Sequence, residues 1–277
     1  MPKLSVITIN YNNRDGLRKT IESVVNQTCK DFEYVIIDGG STDGSVDVIK
    51  EYADRINYWV SEPDNGCYHA MNKGVKVATG EYVIFMNSGD GFYTNDVVDY
   101  FVKLNATEDV LSGDMCIVDA YIKHSPNTIT FKFFYEEGLG HQACFIKTDV
   151  NKLYPYNENL KIVSDWEFFI KVLILNAGSY RKINKIISYF DYNGISSLNK
   201  DLHYAERAGV INTMLPARVL EDYRLNTNLD FRRLFFMIER TNFHKPIYAM
   251  NVMLIKLVSL FTGAKWIKKF GFKENVK

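Results

Sequence analysis

The sequence predicts an α/β fold in which a mostly parallel sheet is flanked by helices. Over about the first ninety residues, short apolar runs alternate with segments whose apolar residues recur at helical spacing. This βαβαβαβ order is typical of parallel strands joined by right-handed crossover helices. The four predicted strands are Leu4–Ile9, Phe32–Ile37, Ile56–Val60 and Tyr82–Met86.

Three helices are predicted between these strands. The first two are indicated by apolar residues at the spacing of one helix face, and the third covers Tyr68–Val77. The residues that mark the first two helices are Leu17, Ile21, Val24, Val25, Val46, Ile49 and Tyr52.

Beyond Asp90 the alternation is less regular, and a polar segment at 193–202 indicates a boundary. We therefore predict a domain over 1–197, with halves 1–91 and 92–197, and a helical C-terminal extension over 198–277. The elements predicted in the second half are a helix over Asp96–Leu104, strands over Val110–Ser112 and Met115–Ile122, and a helix over Trp166–Leu175.

Composition and charge exclude several classes of protein. Lys and Arg number 33, as do Asp and Glu, and this balance argues against a nucleic-acid partner. The four cysteines form no CxxC pair, which indicates reduced thiols rather than a zinc site. Because the first strand begins almost at once and no long uncharged apolar window occurs, we expect neither a secretory leader nor a membrane span, and a cytoplasmic protein.

Standard phosphate and nucleophile motifs are missing. Neither GxGxxG nor GxxxxGK[ST] occurs, which disfavours dinucleotide-binding dehydrogenases and P-loop enzymes. The segment 39–43 approaches the GxSxG elbow of hydrolases but has Asp43 at its last position. A hydrolase that uses Ser41 is therefore a distant alternative.

Polar residues follow each of the four predicted strands, where ligands bind in an open parallel sheet. The four loops are 10–13, 38–44, 61–66 and 87–91. Helix caps and ordinary turns explain some of these residues equally well. Asp38 and Asp90 favour a functional role more strongly, because each closely follows an apolar strand where an unpaired carboxylate is poorly solvated.

In order and spacing, these segments resemble family 2 glycosyltransferases of the GT-A fold, a Rossmann-like mostly parallel sheet flanked by helices. The resemblance is specific over about the first ninety residues and looser around 141–145 and 164–168. It makes 1–91 the nucleotide-binding half and 92–197 the acceptor half. The matching segments are Ser5–Asn12, Ser23–Thr28, Phe32–Gly44, Ala70–Gly74, Ala78–Tyr82 and Asn87–Asp90.

The resemblance implies a nucleotide diphosphate sugar as donor and assigns residues to it. Tyr11 would stack on the base, and Asp38 would read the uracil or ribose. Gly39 stands where a second acid is often found, so the base itself is left open. Lys73 would meet a phosphate, although a solvated helix face explains it equally well. The nucleotide-binding residues implied are Asn10, Tyr11, Asn12, Asp38, Lys73, Asn87 and Ser88.

The resemblance also implies a divalent metal and a general base. Asp90 is the carboxylate that would hold Mg²⁺ or Mn²⁺ against the diphosphate, and with one carboxylate we expect the metal to bind only with the donor. Asp165 matches the base of an inverting transfer; a helix N-cap is its alternative, and Glu167 is the competing acid. His141, Gln142, Trp166 and Glu167 are implied on the sugar and acceptor side, with a structural role as the alternative for His141.

The predicted activity is transfer of a hexosyl or N-acetylhexosaminyl group to a hydroxyl of a glycan, polyprenyl-diphosphate-linked, in the synthesis of O-antigen, capsule or exopolysaccharide. A non-catalytic sugar-nucleotide-binding or assembly module is the alternative. The segment 246–272 combines apolar residues with flanking lysines, which fits either a helix at the inner face of the cytoplasmic membrane or one docked in a homodimer.

Overall fold

The computed structural model describes residues 2–190 and 199–227, with only the backbone described for 224–227. The chain divides into two compact units, Met1–Met214 and Leu215–Lys277. The candidate site lies in the first unit. The segment 246–272, with its predicted membrane or dimer contact, lies outside the described residues.

The first half has the predicted alternation of strands and helices, and the predicted fold class is confirmed. The strand β1 is buried at all seven residues, as expected for an apolar run with helices on both faces. The strands are β1 (Leu4–Asn10), β2 (Glu33–Asp38), β3 (Tyr58–Ser61) and β4 (Tyr82–Phe85), and the helices are α1 (Arg14–Val25), α2 (Ser45–Glu51) and α3 (Cys67–Val77).

The second half is mixed rather than parallel, and its helix Ser164–Phe169 continues as a π-helical segment over Ile170–Leu175. The further elements, in chain order, are β5 (Gly91–Phe92), α4 (Val97–Lys103), β6 (Val110–Ile117), β7 (Tyr121–Lys123), α5 (Phe131–Glu136), β8 (Cys144–Lys147), α6 (Thr148–Leu153), α7 (Ser164–Phe169), β9 (Tyr180–Phe190), α8 (Lys200–Met214) and α9 (Ala217–Thr227).

Two features of this half differ from the sequence-based expectation. The strand predicted over Met115–Ile122 is instead the end of β6, a turn and β7, because the chain reverses at Asp119, whose φ is +56°. The long strand β9 was not predicted. Its parallel pairing with β6 contains register shifts on both sides of Asp114, and a Cβ at the neighbouring Gly113 would collide with a side-chain carbon of Ile187.

The described strands form one sheet in the order β3-β2-β1-β4-β8-β6-β9-β5, with β7 paired to β6. β1, β2, β3 and β4 run parallel, so their carboxyl ends lie at one edge. Apolar side chains pack on both faces; α1 covers one face with Leu17, Ile21 and Val24, and α3 covers the other. The residues after these four strands therefore meet at a single edge.

The helix α8 belongs to the same compact unit as the sheet, whereas the sequence indicated a boundary after residue 197. Polar contacts of α8 with the loops before α7 and after α5 account for this difference, and they are described below. In the described part of the chain, no helix combines the length and apolar character that a membrane crossing requires.

Candidate active site

Hydrogen bonds join the loops that follow β1, β2 and β4. The backbone N–H of Asn12 donates to Ser41 Oγ at 2.8 Å, which ties the first loop to the second. Asn13 Nδ2 donates to the carbonyl oxygen of Ser88 at 3.0 Å, which ties the first loop to the loop after β4. The structure thus brings three of the predicted strand-end loops together.

Asp38 is the centre of a group that we call the Asp38 cluster, formed by Asp38, Asn10, Ser41 and Ser61. Its carboxylate is fully buried and accepts hydrogen bonds from Asn10 Nδ2 at 2.7 Å, from the Oγ atoms of Ser41 and Ser61 at 2.6 Å each, and from the Ser41 N–H at 2.9 Å. Burial raises the pKa of Asp38, but these hydrogen bonds outweigh it and hold the pKa below its usual value. The ionised group thereby binds the ends of β1, β2 and β3 to one another, and its predicted contact with a nucleotide stays a prediction.

Gly39 allows two side chains to approach the same point beside this cluster. A Cβ at Gly39 would stand 2.6 Å from Asp64 Oδ2 and 3.2 Å from Tyr11 Cδ2. The ring of Tyr11 is 66% exposed, which leaves its face available for stacking. Asp64 belongs to the loop after β3, and its carboxylate lies beside Gly39. Gly39 is the position where the resemblance leads one to expect a second acid.

The loop after β4 is hydrogen-bonded to Thr20 on α1. Thr20 Oγ1 donates to the Asp90 carbonyl oxygen at 2.6 Å and accepts from the Gly89 N–H at 3.0 Å. Asn87 Nδ2 lies 3.2 Å from His141 Nε2, while Asn87 Oδ1 is buried and has no hydrogen-bond partner among the residues that the structure describes. Ser88 also receives a longer contact, from Asn13 Nδ2 to its Oγ at 3.4 Å.

Asp165 is the centre of a second group, the Asp165 cluster, formed by Asp165, Tyr68, His141 and Asn87. His141 Nδ1 lies 2.9 Å from Asp165 Oδ2, and the Tyr68 hydroxyl donates to Asp165 Oδ1 at 3.0 Å. The helix α7 begins one residue before Asp165, and the side chain bonds to other segments instead of capping the helix. The N-cap alternative for Asp165 is therefore wrong.

The charges of this cluster are set by its burial and its internal contacts. Burial raises the pKa of Asp165, yet the hydrogen bond and positive charge of His141 outweigh it, so the pKa lies below its usual value. For His141, burial lowers the pKa, and the bond and charge of Asp165 together with the charge of Asp90 raise it overall. Side-chain exposures of 17% for Asp165 and 15% for His141 leave both within reach of a ligand.

Other predicted site residues lie outside these two clusters. Lys73 on α3 forms an ion pair of 2.5 Å with Glu62, and Gln142 is buried in the turn before β8. Trp166 is buried and donates to the Phe134 carbonyl oxygen at 2.9 Å. Glu167, also buried, forms an ion pair of 2.8 Å with Lys171. Their predicted contacts with phosphate, sugar or acceptor stay predictions.

Tyr68 is a residue of this cluster that the sequence analysis missed, because it was considered only as the first residue of the predicted helix Tyr68–Val77. Burial and the charge of Asp165 raise its pKa well above the usual value, so the hydroxyl keeps its proton and can donate. No local pattern reveals this role, since the two partners are 97 residues apart. Asp64 lies in the polar loop 61–66 that the sequence analysis noted after the third predicted strand, but an ordinary turn explained that loop equally well.

The residues after β4 fit one weakly held divalent ion. The Asp90 carboxylate is a hard oxygen ligand of the kind that Mg²⁺ and Mn²⁺ prefer, and Asn87 Oδ1 in the same loop is a buried acceptor without a partner in the described part of the chain. Within residues 2–190 and 199–227, His, Cys, Asp and Glu form no group of three that could hold a metal by itself. Such an ion would take most of its ligands from the diphosphate and water.

Sequence comparisons find related enzymes over most of the chain. Residues 5–141 match the profile described as Glycosyl transferase family 2. The uncharacterized glycosyltransferase Rv1514c of Mycobacterium tuberculosis is 32% identical over 205 residues, which cover 71% of this chain and 78% of that protein. A PGL/p-HBAD biosynthesis glycosyltransferase of Mycobacterium bovis is 26% identical over 247 residues, covering 86% and 91%.

Solved structures with a similar fold include complexes with nucleotide sugars. TarS of S. aureus superposes with a TM-score of 0.60 at 22% identity, over 77% of this chain but only 40% of TarS. Its residues 1–349 in complex with UDP-GlcNAc give a TM-score of 0.59 at 22% identity, over 73% and 60% of the chains. The mannosyltransferase PcManGT of Pyrobaculum calidifontis, in complex with GDP-Man and Mn²⁺, gives 0.54 at 18% identity, over 74% and 60%.

At these identities the structural likeness establishes the fold alone, whereas the sequence matches establish the family. The segments that suggested the resemblance, from Ser5 to Asp90, lie within the matched residues 5–141. The chain belongs to glycosyl transferase family 2 and is a glycosyltransferase.

Proposed function

We propose that the enzyme transfers a hexosyl or N-acetylhexosaminyl group from a nucleotide diphosphate sugar to a glycan hydroxyl, with inversion at the anomeric carbon. The observation that carries this proposal is the position of the Asp165 carboxylate. It is partly exposed, and it is held by Tyr68 and His141. The charges of both Asp165 and Asp90 act on His141, so the two acids lie near the same histidine. An acid fixed in this way suits a general base that faces the donor sugar.

In the proposed reaction, the acceptor hydroxyl oxygen attacks the anomeric carbon and Asp165 takes the proton. The bond between that carbon and the diphosphate oxygen breaks, and the nucleoside diphosphate leaves with the electron pair. His141 keeps Asp165 Oδ2 in place, so that Oδ1, which Tyr68 orients, faces the acceptor. A positioned base contributes about 10²- to 10⁴-fold to the rate.

Asp90 is the residue proposed to hold Mg²⁺ or Mn²⁺. When bound, such an ion neutralises charge on the departing diphosphate. The complex of PcManGT with GDP-Man and Mn²⁺ supports this assignment.

The exposed ring of Tyr11, with Asp64 beside Gly39, supports binding of a nucleotide base. A carboxylate there suits a base that presents a ring N–H, as uracil and guanine do, and two of the similar structures are complexes with UDP-GlcNAc and GDP-Man. We propose that the acceptor is a polyprenyl-diphosphate-linked glycan in surface-polysaccharide assembly. The apolar residues and flanking lysines of 246–272 support work in the cytoplasm at the inner face of the membrane, and they fit a homodimer contact equally well.

Donor hydrolysis tests the proposal without knowledge of the acceptor. A thermal-shift panel of UDP, GDP, dTDP and CDP sugars with Mn²⁺ first identifies the donor, and release of the nucleotide is then measured with and without EDTA. We expect slow hydrolysis that EDTA abolishes. Binding without hydrolysis would favour the alternative, a non-catalytic sugar-nucleotide-binding module, which the single acid in the loop after β4 suggests.

A further inference from the structure

Glu206 on α8 binds the backbone of the loop that enters α7. Its carboxylate accepts hydrogen bonds from three consecutive N–H groups, at 2.7 Å from Lys161, 2.9 Å from Ile162 and 3.3 Å from Val163. Hydrogen bonds to a charged acceptor are stronger than those between neutral groups. The loop held in this way ends at Val163, and α7 begins with Ser164 and Asp165.

Arg207, the next residue of α8, binds a different segment. Its Nη2 donates to the Phe134 carbonyl oxygen and, at 2.7 Å, to the Glu137 carbonyl oxygen, at the end of α5. The guanidinium also lies over the Trp166 ring, 4.4 Å from its centroid. This segment leads through residues 138–140 to His141.

Two neighbouring residues of one helix thus hold the two segments that deliver Asp165 and His141. These two side chains meet at 2.9 Å, although they are 24 residues apart in the sequence. A small displacement of either segment would break that contact, because the hydrogen bond tolerates only a few tenths of an ångström. Glu206 acts on backbone groups of the first segment, whereas Arg207 binds backbone carbonyls of the second segment and also contacts the ring of Trp166, the residue after Asp165.

We propose that Glu206 and Arg207 are positioning residues that set the Asp165–His141 contact without belonging to the Asp165 cluster. The inference rests on the proposed function, in which Asp165 is the general base. It assigns a role in the transfer reaction to α8, a helix beyond the part of the chain that matches the family profile.

The test uses the full chain labelled with ¹⁵N-histidine and two variants, Glu206→Gln and Arg207→Lys. Gln keeps the shape of Glu206 but turns an NH₂ group toward backbone N–H groups, and Lys keeps the charge of Arg207 without its planar fork. Asp201→Asn, an exposed acid-to-amide change on the same helix, is the matched control. The His141 Nδ1–H resonance is assigned by its loss in His141→Gln.

We expect the wild type and Asp201→Asn to show this resonance, and both positioning variants to broaden or shift it. The kcat of donor hydrolysis should fall about 10-fold in these variants while the Kd for the donor changes little, because misplacing a reacting group reduces the chemical step. The thermal midpoint of each variant is measured beside these readouts.

An unchanged resonance in both variants would overturn the inference, whether or not activity falls, and so would its absence from the wild type. A lost resonance with unchanged kcat would support the positioning of the pair and contradict Asp165 as the base. Failure of the inference and failure of the proposed function therefore give different results. If one variant does not fold, the other still decides the question.

Discussion

The Asp38 cluster and the Asp165 cluster are assembled by contacts of different reach. The Asp38 carboxylate binds residues at the carboxyl ends of three neighbouring parallel strands, at sequence separations of 3, 23 and 28 residues. The Asp165 cluster draws on α3, the loop after β4, the turn before β8 and α7, at separations of 24, 54 and 97 residues. The sheet alone creates the first cluster, whereas the second requires the packing of the whole unit.

The two clusters should therefore respond differently to substitution of their residues. The parallel register of β2 with β1 and β3 fixes the Asp38 cluster, so its loss should affect stability before chemistry. The Asp165 cluster lies at the meeting point of four segments, so changes there should affect the reaction before stability. The predictions below run from the largest expected effect to the smallest.

The largest effect is expected for Asp165→Asn. Because an amide cannot take the acceptor proton, we expect the transfer or donor-hydrolysis rate to fall about 10²- to 10⁴-fold. Donor binding, measured by calorimetry, should survive, since Asp165 lies outside the Asp38 cluster. Wild-type turnover in this variant would remove Asp165 from the mechanism.

The second prediction concerns the metal. With one carboxylate from the loop after β4, Mn²⁺ should bind the protein alone at least about 10-fold more weakly than it binds the protein with a nucleotide diphosphate. Calorimetric titration of Mn²⁺ with and without UDP or GDP measures this coupling, and Asp90→Asn should abolish it. Micromolar binding of Mn²⁺ to the protein without nucleotide would contradict the prediction.

The third prediction tests the structural role of the first cluster. Asp38→Asn leaves one acceptor oxygen for donors that now bind two, so we expect the free energy of unfolding to fall by about 1–3 kcal/mol. Chemical denaturation of the variant and the wild type measures it, and Asp31→Asn, an exposed acid on the loop before β2, is the control. A variant as stable as the wild type would mean that Asp38 is not needed to join the three strand ends.

The smallest effect is a shift of the pH profile in Tyr68→Phe. The base must be ionised, so activity is lost as the pH falls through the lowered pKa of Asp165. Removing the Tyr68 hydrogen bond raises that pKa, so the acidic limb of the kcat profile should move to higher pH. A fall in kcat with an unmoved acidic limb would show that Tyr68 does not act on this carboxylate.

Sequence reasoning found much of the first cluster and only part of the second. The periodic pattern of β1 to β4 placed Asn10, Asp38 and Asn87 at one sheet edge, because parallel strands leave little freedom for where their ends lie. Asp165 and His141 were identified through the family resemblance, without any indication that they touch. That contact depends on tertiary packing, which a single sequence does not display.

The same limit explains why α8 was assigned to an extension. In the sequence, Glu206 and Arg207 look like solvent-exposed charges of a polar helix. Their hydrogen bonds to backbone groups before α7 and after α5 show that α8 packs within the first unit. β9 was missed for a related reason: its charged and apolar residues do not alternate cleanly, and the strand is defined by its pairing with β6.

The most direct test of the account is a crystal structure with a nucleotide sugar and Mn²⁺, collected at the manganese edge. We predict an anomalous peak beside Asp90, the base against Tyr11, and the anomeric carbon of the sugar between Asp90 and Asp165. A nucleotide bound elsewhere, or an anomeric carbon facing away from Asp165, would contradict the proposed transfer.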